Sequence, residues 1–319
     1  MLPICLCRSL PLETTKKREI TRTSRCTAEF SIFFMSSAGF TQAYQDAEGS
    51  QVHDKRSGLK VDVVDAATKL EKSKGFMDKE VESAMDIITR FLGEYCAEDT
   101  PRILDVGCCI GRELRCLESV LEKSAVFYGV DIMKAVLDQA KQLGPKDCSY
   151  IEGDIHALPF EENYFDVVYC KRVLIHSDVE KAMQEMVRVL KPGGLALFIE
   201  GDVSAFHLHT TDPRMVLVES QKQISTLNSI KNPNVVSLTR SIVEKMDSVE
   251  NIDIEGFASV ISDISVMHQF SNPVVKKLID DNVVSQEDGD YYLAGLQNPE
   301  TVGYPLYSAV MFFISCRKK

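Results

Sequence analysis

RILDVGCCIG, residues 102–111, decides how this chain is read. A short run rich in Ile, Leu and Val ends at Gly107, and a second glycine, Gly111, stands just ahead of RELRCLESVLEK. That following segment repeats leucine at helical spacing, at Leu114, Leu117 and Leu121. Strand, glycine bend and helix therefore follow one another. The unit then recurs. VFYGVD (126–131) is the next strand, a helix spans about 132–143, and CSYIEGD (148–154) and YFDVVYC (164–170) are two more strands. DVEKAMQEMVRVL (178–190) is a helix stopped by KPGG (191–194), and LALFIEGD begins a fifth strand. This β-α alternation predicts a parallel sheet covered on both faces.

Outward from this core, FMDKEVESAMDIITRFLGEYCA (76–97) reads as an amphipathic helix, with Val81, Met85, Ile88, Phe91 and Leu92 on one side. Its expected role is to cover the sheet. Helical pieces follow Pro213 and recur near 235–247, separated by the turn KNPN (231–234). IDIEGFASVISD (252–263) supplies a sixth strand, 273–298 reads as helical or irregular, and PLYSAVMFFISCRKK closes the chain as a strand.

Composition excludes several classes. The formal net charge of −11 speaks against long nucleic acid as a partner, because phosphate binding needs concentrated positive charge. No apolar run is long enough for a membrane span. The ten cysteines are spread through a long chain and lack metal-ligand spacing, so neither a disulfide scaffold nor zinc is expected. Residues 1–35 are the exception in charge, with Arg8, Lys16, Lys17, Arg18, Arg22 and Arg25 against three glutamates. They read as a flexible tail, a mitochondrial targeting segment or an upstream start ahead of Met35. The expected location is cytoplasmic, or mitochondrial if that tail is a transit segment. Residues 36–319 are expected to form one domain.

The glycine loop gains meaning from its neighbours. Gly107 and Gly111 permit a sharp bend and close approach to a ligand. Asp131 ends the second strand, where a carboxylate can accept both hydrogen bonds of a ribose diol. Asp154 ends the third, where it and the amide of Ile155 can address an adenine edge. Three strand ends with this chemistry suggest one extended nucleoside ligand at the carboxyl edge of the sheet. GCCIGR lacks the GxGxxG expected around a pyrophosphate. Asp105 suits a ligand ammonium instead, so an amino-acid-bearing nucleoside is favoured over a dinucleotide.

The strings ILDVGCCIG, YGVD, EGDIHALPFEENYFDVVYCKRVLIHS and EMVRVLKPGG resemble the core of the class I S-adenosylmethionine-dependent methyltransferases, in the small-molecule branch that includes quinone-biosynthesis-like methylases. The match covers about 101–202. It implies a doubly wound α/β fold: a mostly parallel seven-stranded sheet with an antiparallel strand near the C-terminus and a helical cap. It implies S-adenosyl-L-methionine as cofactor, with Asp105 and Gly107 shaping the methionine side, Asp131 with Ile132 at the ribose, Asp154 and Ile155 at the adenine, and Lys171 and His176 lining the cleft. The resemblance breaks at Cys109, where the family loop, commonly GxGxG, has its middle glycine. The cysteine crowds the cofactor or changes the loop angle, unless its backbone stays at negative φ. Cys109 and Gly111 are counted with the cofactor loop.

Methyl transfer from a sulfonium is a direct displacement that depends on alignment. A general base matters where the acceptor is a phenol, an alcohol or a protonated amine. The candidates are His176, His207 and His209, the last two sharing one side if their segment is extended; His156 and His268 carry no comparable signal. Residues 203–250 and 264–300 are the expected substrate cap, with Phe206, Leu208, Met215, Val216, Phe270, Tyr291 and Tyr292 forming a mostly apolar pocket. The expected activity is methyl transfer to a small organic acceptor, with oxygen favoured. The alternatives are a nicotinamide-dependent oxidoreductase and a noncatalytic cofactor-binding or partner-binding module.

Overall fold

The computed structural model describes residues 51–53, 60–62 and 76–319. The expectations for residues 1–35, and most of 36–74, lie outside these described residues. β1 (Gln51–His53) and β2 (Lys60–Asp62) pair antiparallel. The core then alternates: α1 (Phe76–Glu94), β3 (Arg102–Val106), α2 (Arg112–Val120), β4 (Val126–Asp131), α3 (Lys134–Leu143), β5 (Ser149–Glu152), β6 (Phe165–Lys171), α4 (Val179–Val189) and β7 (Leu190–Glu200). After it come β8 (His207–His209), α5 (Pro213–Ser229), α6 (Val235–Val243), β9 (Val249–Ile261), α7 (Ser265–Asp280), α8 (Gln286–Gln297) and β10 (Leu306–Lys318).

The main sheet has eight strands, in the order β5-β4-β3-β6-β7-β10-β8, with β9 on the other edge of β10. β3 to β7 are parallel, and β10 runs antiparallel to β7, β8 and β9. Alternation along the strands makes two cores. On β6, Val168 and Cys170 face the layer of α4 and the cap, while Val167 and Tyr169 face α1 and α2. Val81, Met85, Ile88, Phe91 and Leu92 of α1 are all buried on that second face, as their spacing requires.

The chain steps outward from β3 to β4 to β5, then returns to place β6 on the other side of β3. The order thus reverses between β3 and β6, where an open α/β sheet leaves a crevice at its carboxyl edge. Gly107 directly follows β3 and Lys171 ends β6, the two strands that flank it.

Three local readings change. KPGG does not separate helix from strand: β7 begins at Leu190, and pairing with β6 skips from Leu190 to Leu195. Residues 191–194 bulge out, with Gly193 at φ +79, and the strand resumes. Helix α7 starts at Ser265, ahead of the 273 expected, and carries Pro273 inside it. The short β8 is an additional strand. It pairs Leu208 with Tyr307 beyond the end of β7, so it prolongs the carboxyl edge of the sheet.

Candidate functional site

The loop after β3 is tied to β4 by its backbone. The amides of Gly107 and Cys108 both donate to the Val130 carbonyl, at 2.7 and 3.0 Å. Gly107 has φ +78, and a Cβ there would lie 2.3 Å from Val173 Cγ2, so only glycine fits. Cys109 also takes a left-handed conformation, at φ 49. The negative φ that would have accommodated a cysteine is therefore not adopted. The backbone keeps the geometry a glycine would have, at a cost of about 1 kcal/mol. Cys109→Gly is accordingly expected to raise stability by about 0.5–1 kcal/mol and to bind cofactor as tightly as wild type or more so. Denaturant midpoints and calorimetry check this; substantially weaker binding would reject the crowding account.

The turn places the Cys109 amide on Asp131, donating to Oδ2 at 3.0 Å, while the Met133 amide donates to Oδ1 at 2.9 Å. Burial pushes the Asp131 carboxyl up to about 6, against the pull of the Met133, Cys109 and Ile132 amides. Asp154 is held by a residue to which the sequence assigned no role. His156 donates from Nδ1 to Asp154 Oδ1 at 2.7 Å, and its own amide donates to the same oxygen at 2.9 Å. The Asp178 amide donates to His156 Nε2 at 2.9 Å, which fixes the tautomer with the proton on Nδ1. Ile155 between them is buried. The one available signal was the two-residue spacing of an Asx turn.

On the other wall, Asp105 is 2% exposed and its Oδ2 has no hydrogen-bond partner. The Tyr169 hydroxyl lies close enough to pull the Asp105 carboxyl down, but closes no hydrogen bond of normal geometry. Burial, then the charge of Glu113, push Asp105 well above the usual carboxylate range. Glu113, at the start of α2, forms a buried ion pair with Lys171 at the end of β6. Burial alone would raise Glu113, but the Lys171 ammonium outweighs it and holds the carboxylate below its ordinary value. Lys171 is thus already paired at the end of β6. His176 lies in a 3-10 turn, Leu174–His176, and is 8% exposed. Burial lowers it to about 3, so it stays neutral and is poorly matched to taking a proton near pH 7.

The cap divides the expected acceptor residues. His207 and His209 share one face of β8, their rings 4.6 Å apart, and line a groove with Leu208 and Val216. Phe206 lines a small cavity behind it. Met215 is fully buried, and Tyr291 instead donates to Asp212 at 2.6 Å under the Arg214 guanidinium. Tyr292 is buried in a charged cluster that the sequence did not reveal: Glu219, Lys222, Ser271, Tyr292 and Tyr307. The side chain of Phe270 lies outside the described residues. The groove is more polar than the apolar pocket expected, since hydroxyl, amide and imidazole groups line it. Among the described residues, no group of three or more His, Cys, Asp or Glu is placed to hold a metal, and no helix is long and apolar enough to cross a membrane.

Residues 104–198 match the family model described as a methyltransferase domain. An uncharacterized methyltransferase of Schizosaccharomyces pombe is 33% identical over 138 residues, 40% of this chain and 49% of that protein. Cycloartenol-C-24-methyltransferase of Arabidopsis thaliana is 35% identical over 98 residues, 29% of each chain. The matches span half of these relatives or less. The YcgJ protein of Bacillus subtilis has a similar fold, with a TM-score of 0.50 at 19% identity over 75% of this chain and 99% of that one. The sheet order reverses between β3 and β6, a glycine turn lies at that reversal, and both fall within residues 104–198, the segment that matches a methyltransferase domain.

Proposed function

We propose that this chain transfers a methyl group to a small organic acceptor, with oxygen as the favoured atom. The observation that carries the reading is Asp105, a buried carboxylate with an unpaired oxygen at the switch point of the sheet. An unpaired buried acceptor is costly, and the ammonium of an amino-acid-bearing nucleoside satisfies it. The rest of the cleft fits the same ligand. Asp131 keeps acceptor capacity on both oxygens for ribose hydroxyls, beside Ile132. The glycine loop, Gly107 to Gly111 with Cys109 at its centre, lets the backbone approach closely. Asp154, held by His156, and the Ile155 amide suit an adenine edge. The Lys171–Glu113 pair closes the wall opposite and sets the charge around Asp105.

Bound S-adenosylmethionine supplies an activated methyl group on a sulfonium, needing only direct displacement. The chain's task is then to hold and align the two partners and exclude water. Because burial keeps His176 neutral and weakly basic, His207 and His209 are left as the candidate general bases. Isotope-labelled methyl donor incubated with a metabolite extract, followed by mass spectrometry, tests the reading. A labelled small-molecule ether or ester is expected. Retention of a dinucleotide with no binding of S-adenosylmethionine would overturn it in favour of an oxidoreductase.

Asp131 also sets a pH dependence. Ribose hydroxyls donate to its ionised form, and its carboxyl titrates near 6 in the free protein. Cofactor affinity is expected to hold above pH 6 and to fall about tenfold per unit below it. The stability contribution runs the other way: a raised carboxyl favours the fold in acid, and that contribution is lost as pH rises through about 6. Calorimetry at pH 5, 6 and 7.5 measures the first effect. Asp131→Asn should flatten the profile; an unchanged slope in that variant assigns the titration to another group.

A further inference from the structure

The groove between β8 and α5 is lined by none of the residues assigned to the cofactor. It has a volume of about 520 Å3 and is lined by His207, His209, Thr211, Ser220, Gln223 and Glu219. That size suits a small molecule. Behind it is a cavity of about 10 Å3, room for one water at most, which shares Glu219 and Gln223 with the groove. Glu219 is therefore the wall between the two, and it is 6% exposed.

The two oxygens of Glu219 are unequal. Oε2 receives the Tyr307 hydroxyl at 2.5 Å, the Lys222 ammonium at 2.7 Å and the Tyr292 hydroxyl. Oε1 receives the Gln223 amide at 3.5 Å, the limit of a hydrogen bond, and no other donor among the described residues. Lys222 directs its protons inward as well, to Ser271, Tyr292 and Tyr307 at 3.0–3.2 Å. The cluster thus anchors one carboxylate oxygen and leaves the other with acceptor capacity.

Charge selects the ligand class. Glu219 and Lys222 neutralise each other, so a cation gains little here, and among the described residues the groove has no second carboxylate and no Phe, Tyr or Trp to cage one. An anion gains nothing either, because the Lys222 protons are spent inside the cluster and Oε1 repels it. A neutral hydroxyl can donate to Oε1 and find further partners in the imidazoles and in Thr211. We propose that this groove binds a small uncharged molecule whose hydroxyl donates to Glu219 Oε1. The site stands beside the methyltransferase reading above and names a ligand class and its anchor.

The test uses the full chain and three probes of one size: phenol, benzylamine and benzoate. Resonances of the His207 and His209 rings and the Thr211 methyl are followed by NMR, and cofactor affinity is measured separately by calorimetry. Phenol is expected to shift these signals at a concentration at least fivefold below the other two. Ser220→Phe, which fills the groove at a residue whose hydroxyl bonds Val216 and no member of the Glu219 cluster, should abolish the shifts and leave cofactor affinity within twofold. Glu219→Gln should weaken phenol where the variant folds; Ser220→Phe keeps the test decisive where it does not. Cofactor binding with no preference for phenol, or phenol shifts that survive Ser220→Phe, would overturn the groove assignment alone.

Discussion

Asp131→Ala is expected to weaken cofactor binding by about a hundredfold or more while the chain stays folded. Two hydroxyl donors to an ionised carboxylate are worth about 1.5–3 kcal/mol each, and each 1.4 kcal/mol is about tenfold in affinity. The structure adds a second route to the same loss. The carboxylate also holds the amides of Cys109 and Met133, so its removal frees the loop that the ligand needs preformed. Asp131→Asn keeps one acceptor oxygen and should fall between alanine and wild type. Calorimetric titration measures the affinity, and circular dichroism checks the fold. A folded alanine variant with wild-type affinity would remove Asp131 from the site.

Lys222→Met should be the most destabilising of the changes considered, by about 3–5 kcal/mol. Glu219 and Lys222 stand three residues apart on α5, a spacing that on a surface helix is worth under about 1 kcal/mol. Here both side chains are nearly inaccessible, at 3% for Lys222 and 8% for Glu219. Methionine leaves the carboxylate buried without its cation, although Tyr292 and Tyr307 still donate to it. Glu219→Gln combined with Lys222→Met removes both charges and should recover most of the loss. Urea denaturation of the two variants and the wild type decides between the cases. A loss under 1 kcal/mol for Lys222→Met would mean that the cluster is hydrated and that Glu219 is not held as described.

The strand ends that frame the crevice were legible in residue order. Gly107, Asp131 and Asp154 sit at strand ends because the apolar runs before them end there, and parallel strands bring successive ends to one edge. That argument needs only local periodicity and the rule that ligands bind beyond the carboxyl ends of such strands. It failed where a backbone angle or a partner mattered. Cys109 was open to either sign of φ, and the tie from its amide to Asp131 made it positive. His156 was passed over, although it orients Asp154. His176 was grouped with the bases, and its burial lowers it to about 3.

The part of the chain after β7 was legible only as a region. Residues 203–250 and 264–300 were recognisable as lying outside the repeating core, but their apolar side chains did not form one pocket. Met215 went to the core, Tyr291 to Asp212, and Tyr292 to the buried cluster.

By itself, the sequence determined the β-α alternation, the glycine turn at 107–111 and the carboxylates at the strand ends, because each is set by neighbours a few residues away. Tertiary structure alone decided which charges meet. Glu113 finds Lys171 across the switch point, and α5, α7, α8 and β10 converge on Glu219 and Lys222. The physical reason is that burial and pairing depend on contacts between segments far apart in the chain. The same i, i+3 pair is a minor surface contact in water and an anchored, high-stakes charge pair once the cap closes over it.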